Sequence, residues 1–418
     1  MTLFSGLVAQ FSGAANALTQ AQARVRASNR PLIDLINGNP TQHGLQFPAV
    51  ILQTALQQAQ AAAALYHPHP KGQAVARAAI SAYYAAQGAR FDPEQILLTP
   101  GTSQSYWYLF QLLADPGQEI LTPQPSYPLF DYIAALCRVT LTPYPLARTS
   151  TGWAVDTAAL AAAVTPRTRA IVLISPHNPT GHVASAAEVE ALVALAQAHR
   201  LPIIADEVFC EFIFGAGQHH RPARLSDSAE TSASSVEPLI EASPKSANHA
   251  APLVFTLNGF SKMLALPGVK LGWIAVSGEP ALVATAVAAL ETIADTFLAT
   301  HEMIQWAAPA LLAQGQAFLA SYRQQIAARA ALAHELLAGA NRFRVTPAAG
   351  GFYLTLDVSE LTRNDEHLAL DLLLETGILT HPGWYYDMPM PSLVLSFLSE
   401  PDRLAAHLPR LRAYLEAY

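Results

Sequence analysis

Three polar residues sit just past short apolar runs, and their chemistries complement one another. Asn178 lies in "IVLISPHNPTG", Asp206 in "PIIADEVF" and Lys262 in "LVFTLNGFSK": a carboxamide, a carboxylate and an amine. The amine is the unusual member, because the chain has four lysines against twenty arginines. Where arginine is the default cation, a lysine can be present for its chemistry. An amine can lose its proton and attack a carbonyl; a guanidinium cannot. Two of the four, Lys262 and Lys270, lie eight residues apart in the otherwise apolar "NGFSKMLALPGVKLGW". Taken singly, each residue has an ordinary explanation. Asn-Pro starts turns, an aspartate after a strand caps a helix, and a lysine there is a solvated surface residue.

Taken together they match one chemistry. A lysine amine forms a Schiff base with an aldehyde cofactor. A carboxylate against a pyridine nitrogen keeps that ring protonated and makes it an electron sink, and an amide can donate to a ring oxygen. A phosphate on the same cofactor would need a cradle. "LLTPGTSQSYWY" offers one, with Gly101, Thr102 and Ser103 between a strand and a helix, where backbone N–H groups, hydroxyls and the helix dipole favour an anion. Tyr127, in "PQPSYPLF", is an aromatic just past another strand that could stack on a ring or simply fill the core.

Positioning such a set requires strands that end at a common edge. Runs at 95–100, 119–123, 170–176, 201–206, 253–258 and 271–276 read as buried strands; alanine- and leucine-rich stretches at 103–114, 187–200 and 279–297 read as helices. This alternation predicts an α/β fold with a mostly parallel sheet. Such sheets bind ligands at the carboxyl ends of their strands. After about residue 295 a long helical stretch gives way to "FYLTLDV", "LVLSFL" and a last helix at 401–417. The expected division is a large cofactor-binding domain at 42–295 and a smaller α+β domain formed by 1–41 and 296–418. The polar stretch 215–251 reads as a long surface loop, with a lid over the site as its functional alternative.

Composition narrows the class. Of 418 residues, 51% are hydrophobic and 13% charged, which predicts a well-buried globular protein with room for a self-association patch. A net charge of -7 argues against a nucleic-acid binder. No apolar run reads as a membrane span, and the N-terminus has no basic region of a signal peptide. Cys137 and Cys210 lack metal spacing and read as buried thiols, so a cytoplasmic enzyme is expected. Fourteen histidines include the pairs His67/His69 and His219/His220, but neither has a partner at metal-ligand spacing, and no metal site is expected.

The ordered motifs "NGNPT", "SPHNPTG", "ADEVF", "GFSK…PGVKLGW" and "GGFYLTLD", through "VLSFLSEP", resemble the class I/II aminotransferases, pyridoxal-phosphate enzymes of fold type I. The resemblance implies a mostly parallel seven-stranded sheet between helices, a smaller domain, and transfer of an amino group from an amino acid to a 2-oxo acid. It implies roles as well. Lys262 would carry pyridoxal 5'-phosphate as a Schiff base and shuttle the proton at the substrate carbon. Asp206 would pair with the ring nitrogen, Asn178 with the ring oxygen, and Tyr127 would stack on the ring. Gly101, Thr102, Ser103, Ser261 and Lys270 would contact the phosphate. Tyr66, in "LYHPHPKG", would reach the phosphate across a homodimer interface. Gly38 would lie over bound substrate, beside Asn178.

Three positions depart from the resembled pattern. Lys270 stands where an arginine is usual, offering a point charge in place of a fork. Phe209 replaces a tyrosine three residues after Asp206, so one donor to the cofactor oxygen is missing. Val394 occupies the place of an arginine that clamps the substrate carboxylate. Arg30 and Lys71 are candidate substitutes, and Trp384, Tyr385 and Tyr386 could line the pocket. The missing clamp keeps a lyase, decarboxylase or racemase on the same fold as the alternative reading. A cofactor-binding regulator is a third, but no DNA-binding segment is evident.

Overall fold

Runs of Ile, Leu and Val too short for helices build the centre of the molecule. A computed structural model of the chain describes residues 3, 5–11, 16–215, 218–226, 251–298 and 300–418. The first strand, β1 (Ile33–Asp34), stands apart from the main sheet. The main sheet holds β2 (Ile96–Thr99), β3 (Glu119–Gln124), β4 (Thr140–Arg148), β5 (Trp153–Val155), β6 (Thr168–Ile174), β7 (Ile203–Asp206), β8 (Val254–Gly259) and β9 (Gly272–Ser277). Their spatial order is β2-β9-β8-β7-β6-β3-β4-β5. The neighbours β4, β3, β6, β7 and β8 run parallel, and β9 lies antiparallel between β8 and β2. The sheet is mostly parallel, as expected, with eight strands in place of seven. The addition is β5, three residues that fold back on Leu146–Arg148 of β4; it is too short to show an alternating pattern.

Both faces of the sheet are covered, which is why its strands are continuously apolar. Along β6, Ala170, Val172 and Ile174 face one core while Ile171 and Leu173 face the other. Register then fixes where the strands end. Ile174 pairs with Asp206, and Asp206 with Leu257, so the residues just beyond β6, β7 and β8 emerge along one edge. The helices between have local start and stop signals. The helix Ala186–His199 begins with a capping box in which Ser185 and Glu188 satisfy each other's N–H groups, and ends at Arg200 in the left-handed conformation.

A second, antiparallel sheet gathers later strands: β10 (Arg344–Thr346), β11 (Tyr353–Asp357), β13 (His381–Pro382) and β14 (Ser392–Ser396), in the order β10-β11-β14-β13. β12 (Ile378–Leu379) pairs with β1 in parallel. The helix Ala17–Ala27 buries Leu18, Ala21 and Val25, a helical spacing, against Leu373 and Leu379. The N-terminal segment is thus tied to the second sheet: the Ser396 N–H donates to the Leu35 carbonyl at 2.6 Å. From there the chain runs on to Gly38 above the main sheet's edge.

The stretch expected to be one long surface loop at 215–251 falls mostly outside the described residues. The part described, 218–226, is not a plain surface loop. Arg221 is buried, its Nε donating to Glu207 Oε2 at 2.7 Å, and Pro222–Ser226 forms a helical turn. An ion pair with a residue on the strand side anchors this segment to the core. Among the described residues, no helix is long and apolar enough to cross a membrane.

Candidate active site

A cavity of about 470 Å³ opens at the edge where β6, β7 and β8 end. Its wall includes Gly101, Thr102, Ser103, Tyr127, Asn178, Asp206, Ser261, Lys262 and Lys270, nine of the residues singled out from the sequence. That volume is ordinary for a small-molecule site.

Lys262 lies on the short helix Phe260–Met263, directly after β8. Its Nζ donates to the Gly38 carbonyl at 3.0 Å and sits 5.8 and 5.7 Å from the ring centroids of Phe209 and Phe352. Burial among these groups lowers its pKa to about 8. Among the described residues no carboxylate pairs with it, so the neutral amine, the nucleophilic form, is reachable near neutral pH. The sign gives a prediction. Cofactor-free protein should capture a small aldehyde at a rate that rises about tenfold per pH unit and levels near pH 8, whereas an exposed lysine would keep rising toward ~10.4. Borohydride trapping across pH, followed by peptide mapping at Lys262, reads this directly; a rate still climbing at pH 9.5 would contradict it.

Asp206 ends β7 and is buried. Its Oδ1 accepts from the Val208 N–H at 2.9 Å, and its Oδ2 from the Tyr106 hydroxyl at 2.8 Å. Burial raises its pKa to about 6 against the pull of those two donors. The carboxylate is therefore ionised at neutral pH and in want of a positive partner. Asn178 follows β6, and its Oδ1 is buried with no hydrogen-bond partner among the described residues. Such an amide has unused capacity facing a cavity. Tyr127 follows β3, half-exposed, its ring edge-on to Phe130.

The turn at Gly101 separates β2 from the helix Thr102–Leu113. Gly101 has φ 151° and ψ 168°, a region open essentially to glycine alone. Thr102 and Ser103 begin the helix, so their N–H groups have no intrahelical acceptor. Their hydroxyls, Ser261 and Lys270 line the same cavity. The β2–β9 pairing, which sets Thr99 opposite Gly272, brings Gly272 so close that a Cβ there would lie 2.9 Å from the Gly101 Cα. A side chain at 272 would push the turn away from the cavity.

Other expected residues fall elsewhere. Gly38 is not in the cavity wall but touches Lys262 through its carbonyl, and a Cβ at this position would run into the Tyr353 hydroxyl. Tyr66 is 74% exposed and away from the cavity of its own chain. Neither candidate for the missing clamp serves. Arg30 is exposed and donates to the Leu374 and Glu375 carbonyls at the end of the helix Asp365–Thr376. Lys71 is paired with Glu94, which also takes Arg77. Val394 is buried in β14 between Thr355 and His381. Trp384, Tyr385 and Tyr386 are absent from the cavity wall; the Tyr386 hydroxyl meets His381 Nδ1 at 2.9 Å.

Sequence reasoning missed Tyr106 and Tyr353, both in the wall. It also missed His177, buried beside Asn178 with Nδ1 2.9 Å from the Thr180 hydroxyl and its pKa pushed by burial to about 3. Tyr353 lay inside the quoted "GGFYLTLD", so its motif was visible although its role was not. Among the described residues no three His, Cys, Asp or Glu side chains gather as a metal would need. Cys137 and Cys210 are free thiols.

Known proteins resemble the chain along most of its length. The family model described as aminotransferase class I and II matches residues 30–402. An alanine aminotransferase of Mycobacterium tuberculosis is 29% identical over 96% of this chain and 89% of its own length. An arginine–pyruvate transaminase of Pseudomonas aeruginosa is 30% identical over 87% of this chain and 84% of its own. A solved aminotransferase structure from Escherichia coli superposes with a TM-score of 0.85 at 25% identity, covering 100% of this chain and 99% of that one.

Proposed function

The chain belongs to the class I and II aminotransferases, and from that membership we propose which of its residues carry the transfer of an amino group from an amino acid to a 2-oxo acid. Pyridoxal 5'-phosphate is the cofactor of this family. When bound, it supplies an aldehyde for an amine and a protonated ring that withdraws electrons from the substrate α-carbon. The site fits such a group: a buried carboxylate on Asp206, a glycine-only turn at Gly101 and an amine that has no counter-charge among the described residues share one cavity.

Lys262 would hold the cofactor through its amine and, once displaced by the substrate's amine, move a proton at the substrate α-carbon. Its surroundings suit both tasks, since burial keeps the neutral form within reach. Asp206 would keep the ring nitrogen charged. Asn178 would donate to the ring oxygen, a job left to it alone on that side because Phe209 has no hydroxyl. Tyr127 would cover the ring face. Gly101, Thr102, Ser103, Ser261 and Lys270 would hold the phosphate, with the backbone turn supplying the rigidity a lysine lacks. Gly38 would close over substrate, together with Asn178.

The observation that carries this reading is the convergence of Lys262, Asp206 and Asn178 on one cavity with the Gly101 turn. A half-reaction tests it. Holoprotein given L-alanine alone should release about one pyruvate per site and stop, and 2-oxoglutarate should restart it. Continued turnover of an amino acid without any oxo acid would make the protein a lyase or decarboxylase.

Three further assignments belong to the same reading. The active unit would be a homodimer in which Tyr66 enters the partner's site; the exposure of Tyr66 and its neighbour Leu65 supports this. The domains would be 42–295, with 1–41 and 296–418 as the smaller one. The helix Glu302–Gln314 packs on Ala49–Ala63 and Ala74–Ala86, which favours moving that boundary toward residue 315. The two free thiols fit a cytoplasmic protein.

A further inference from the structure

We infer that Tyr106 is a positioning residue for Asp206: its hydroxyl fixes the carboxylate in one orientation and holds it in the anionic form. This rests on the role proposed for Asp206. Tyr106 stands on the helix Thr102–Leu113, five residues beyond Gly101, so one helix shapes the anion turn and also reaches the carboxylate. The hydroxyl donates to Oδ2 at 2.8 Å while the Val208 N–H donates to Oδ1 at 2.9 Å. Each oxygen thus has one donor, and the two donors come from different elements. That pair of anchors defines the plane of the carboxylate.

The ring of Tyr106 cannot swing away. It is buried, tilted edge-on to Phe130 at 4.7 Å and to Phe110 at 5.9 Å. No other side chain donates to Asp206 among the described residues. Phe209, three residues on, has no hydroxyl to offer, and Tyr144 spends its own on the Val172 carbonyl at 2.7 Å. The remaining titratable groups around Asp206 do not replace the donor. Glu207 beside it opposes ionisation, and Tyr127 across the cavity gains no help from the anion. Lys262 and Lys270 lie in the cavity wall without a hydrogen bond to Asp206. Burial is the largest influence on Asp206 and favours the neutral acid. A neutral acid would lose its attraction for a protonated ring nitrogen, so the phenol's contribution falls on the property the reaction needs.

The test uses full-length protein and the variants Tyr106→Phe, Asp206→Asn and both together. The carboxyl infrared band of Asp206, isolated as the difference from Asp206→Asn, is titrated in cofactor-free protein. Tyr106→Phe should raise its midpoint by about one pH unit. Release of pyridoxal phosphate from the holoprotein should quicken about tenfold. The same change in the Asp206→Asn background should leave that release rate within about twofold. An unchanged midpoint in folded Tyr106→Phe protein would overturn the assignment and reduce Tyr106 to packing. Should Tyr106→Phe fail to fold, 3-fluorotyrosine placed at position 106 keeps the hydroxyl and makes it a stronger donor. The midpoint should then fall, and a midpoint that stays put would again overturn the assignment. The titration reports on a carboxyl group whatever reaction the protein performs, so its failure is distinguishable from failure of the transaminase reading.

Discussion

Lys262→Ala protein is expected to lose at least about a thousand-fold in turnover, the scale of a positioned proton carrier. Its bound cofactor should lose the visible absorption of a lysine-linked aldehyde. The side chain is asked to do two things that no neighbour can do. It makes the covalent link, and it carries a proton at the substrate α-carbon. Among the described residues the only other cation in the cavity wall, Lys270, stands past the 3-10 turn Pro267–Val269, exposed and beside the anion turn. Lys262→Arg should be no better, because a guanidinium keeps its proton and does not attack an aldehyde. The charge would survive in that variant while the activity would not, which separates nucleophile from counter-ion. Single-turnover kinetics with L-alanine and an absorption spectrum check both points. A visible band surviving in Lys262→Ala would move the covalent link to another residue.

How much of this was legible beforehand depends on the range of the interaction. Asn178, Asp206 and Lys262 could be read because each follows a strand by a few residues, and parallel strands in register deliver their ends to one edge. The Gly101 turn could be read because its requirement is local. Tyr106 could not, since its partner is a hundred residues away and within its own helix it looks like one more buried aromatic. Strand β4 was hidden by Pro143 and Pro145. It tolerates them because β3 pairs along one side while β5 reaches only Leu146–Arg148 on the other. Arg221 was hidden in a polar stretch whose composition reads as a loop, although a buried partner, Glu207, holds it to the core. The candidates for the missing carboxylate clamp failed for a related reason. Arg30 is already engaged by the Leu374 and Glu375 carbonyls, far along the chain, and Lys71 by the Glu94 carboxylate, and a count of cations in the sequence does not reveal which are spent.

Asp206→Asn protein is expected to bind pyridoxal phosphate yet to turn over at least about a hundred- to a thousand-fold more slowly, as when a preorganised charge is removed from a dry site. The amide matches the carboxyl group in shape: its oxygen can still accept from the Val208 N–H, and its NH2 group, in the place of Oδ2, can donate to the Tyr106 hydroxyl oxygen. What it lacks is the negative charge that keeps a proton on the ring nitrogen. Binding should survive because Lys262 and the Gly101 turn are untouched. Stability should move the other way, and the sign follows from linkage. Folding raises the Asp206 pKa from 3.8 to about 6. Such a group favours the folded state below its unfolded pKa, and that advantage is lost as pH rises through 6. At pH 8 the cofactor-free protein therefore bears an ionised, buried carboxylate, and the asparagine variant should melt at a higher temperature. The difference should shrink as pH falls from about 6 to about 4. Thermal melts of the two cofactor-free proteins across that range, set against single-turnover rates of the two holoproteins, measure both halves. A rate within tenfold of the parent would mean that the ring's counter-charge comes from elsewhere. A melting difference independent of pH would mean that Asp206 does not bear the burial cost assigned to it. If both hold, the same carboxylate lowers the stability of the empty protein and supplies the charge on which its chemistry depends.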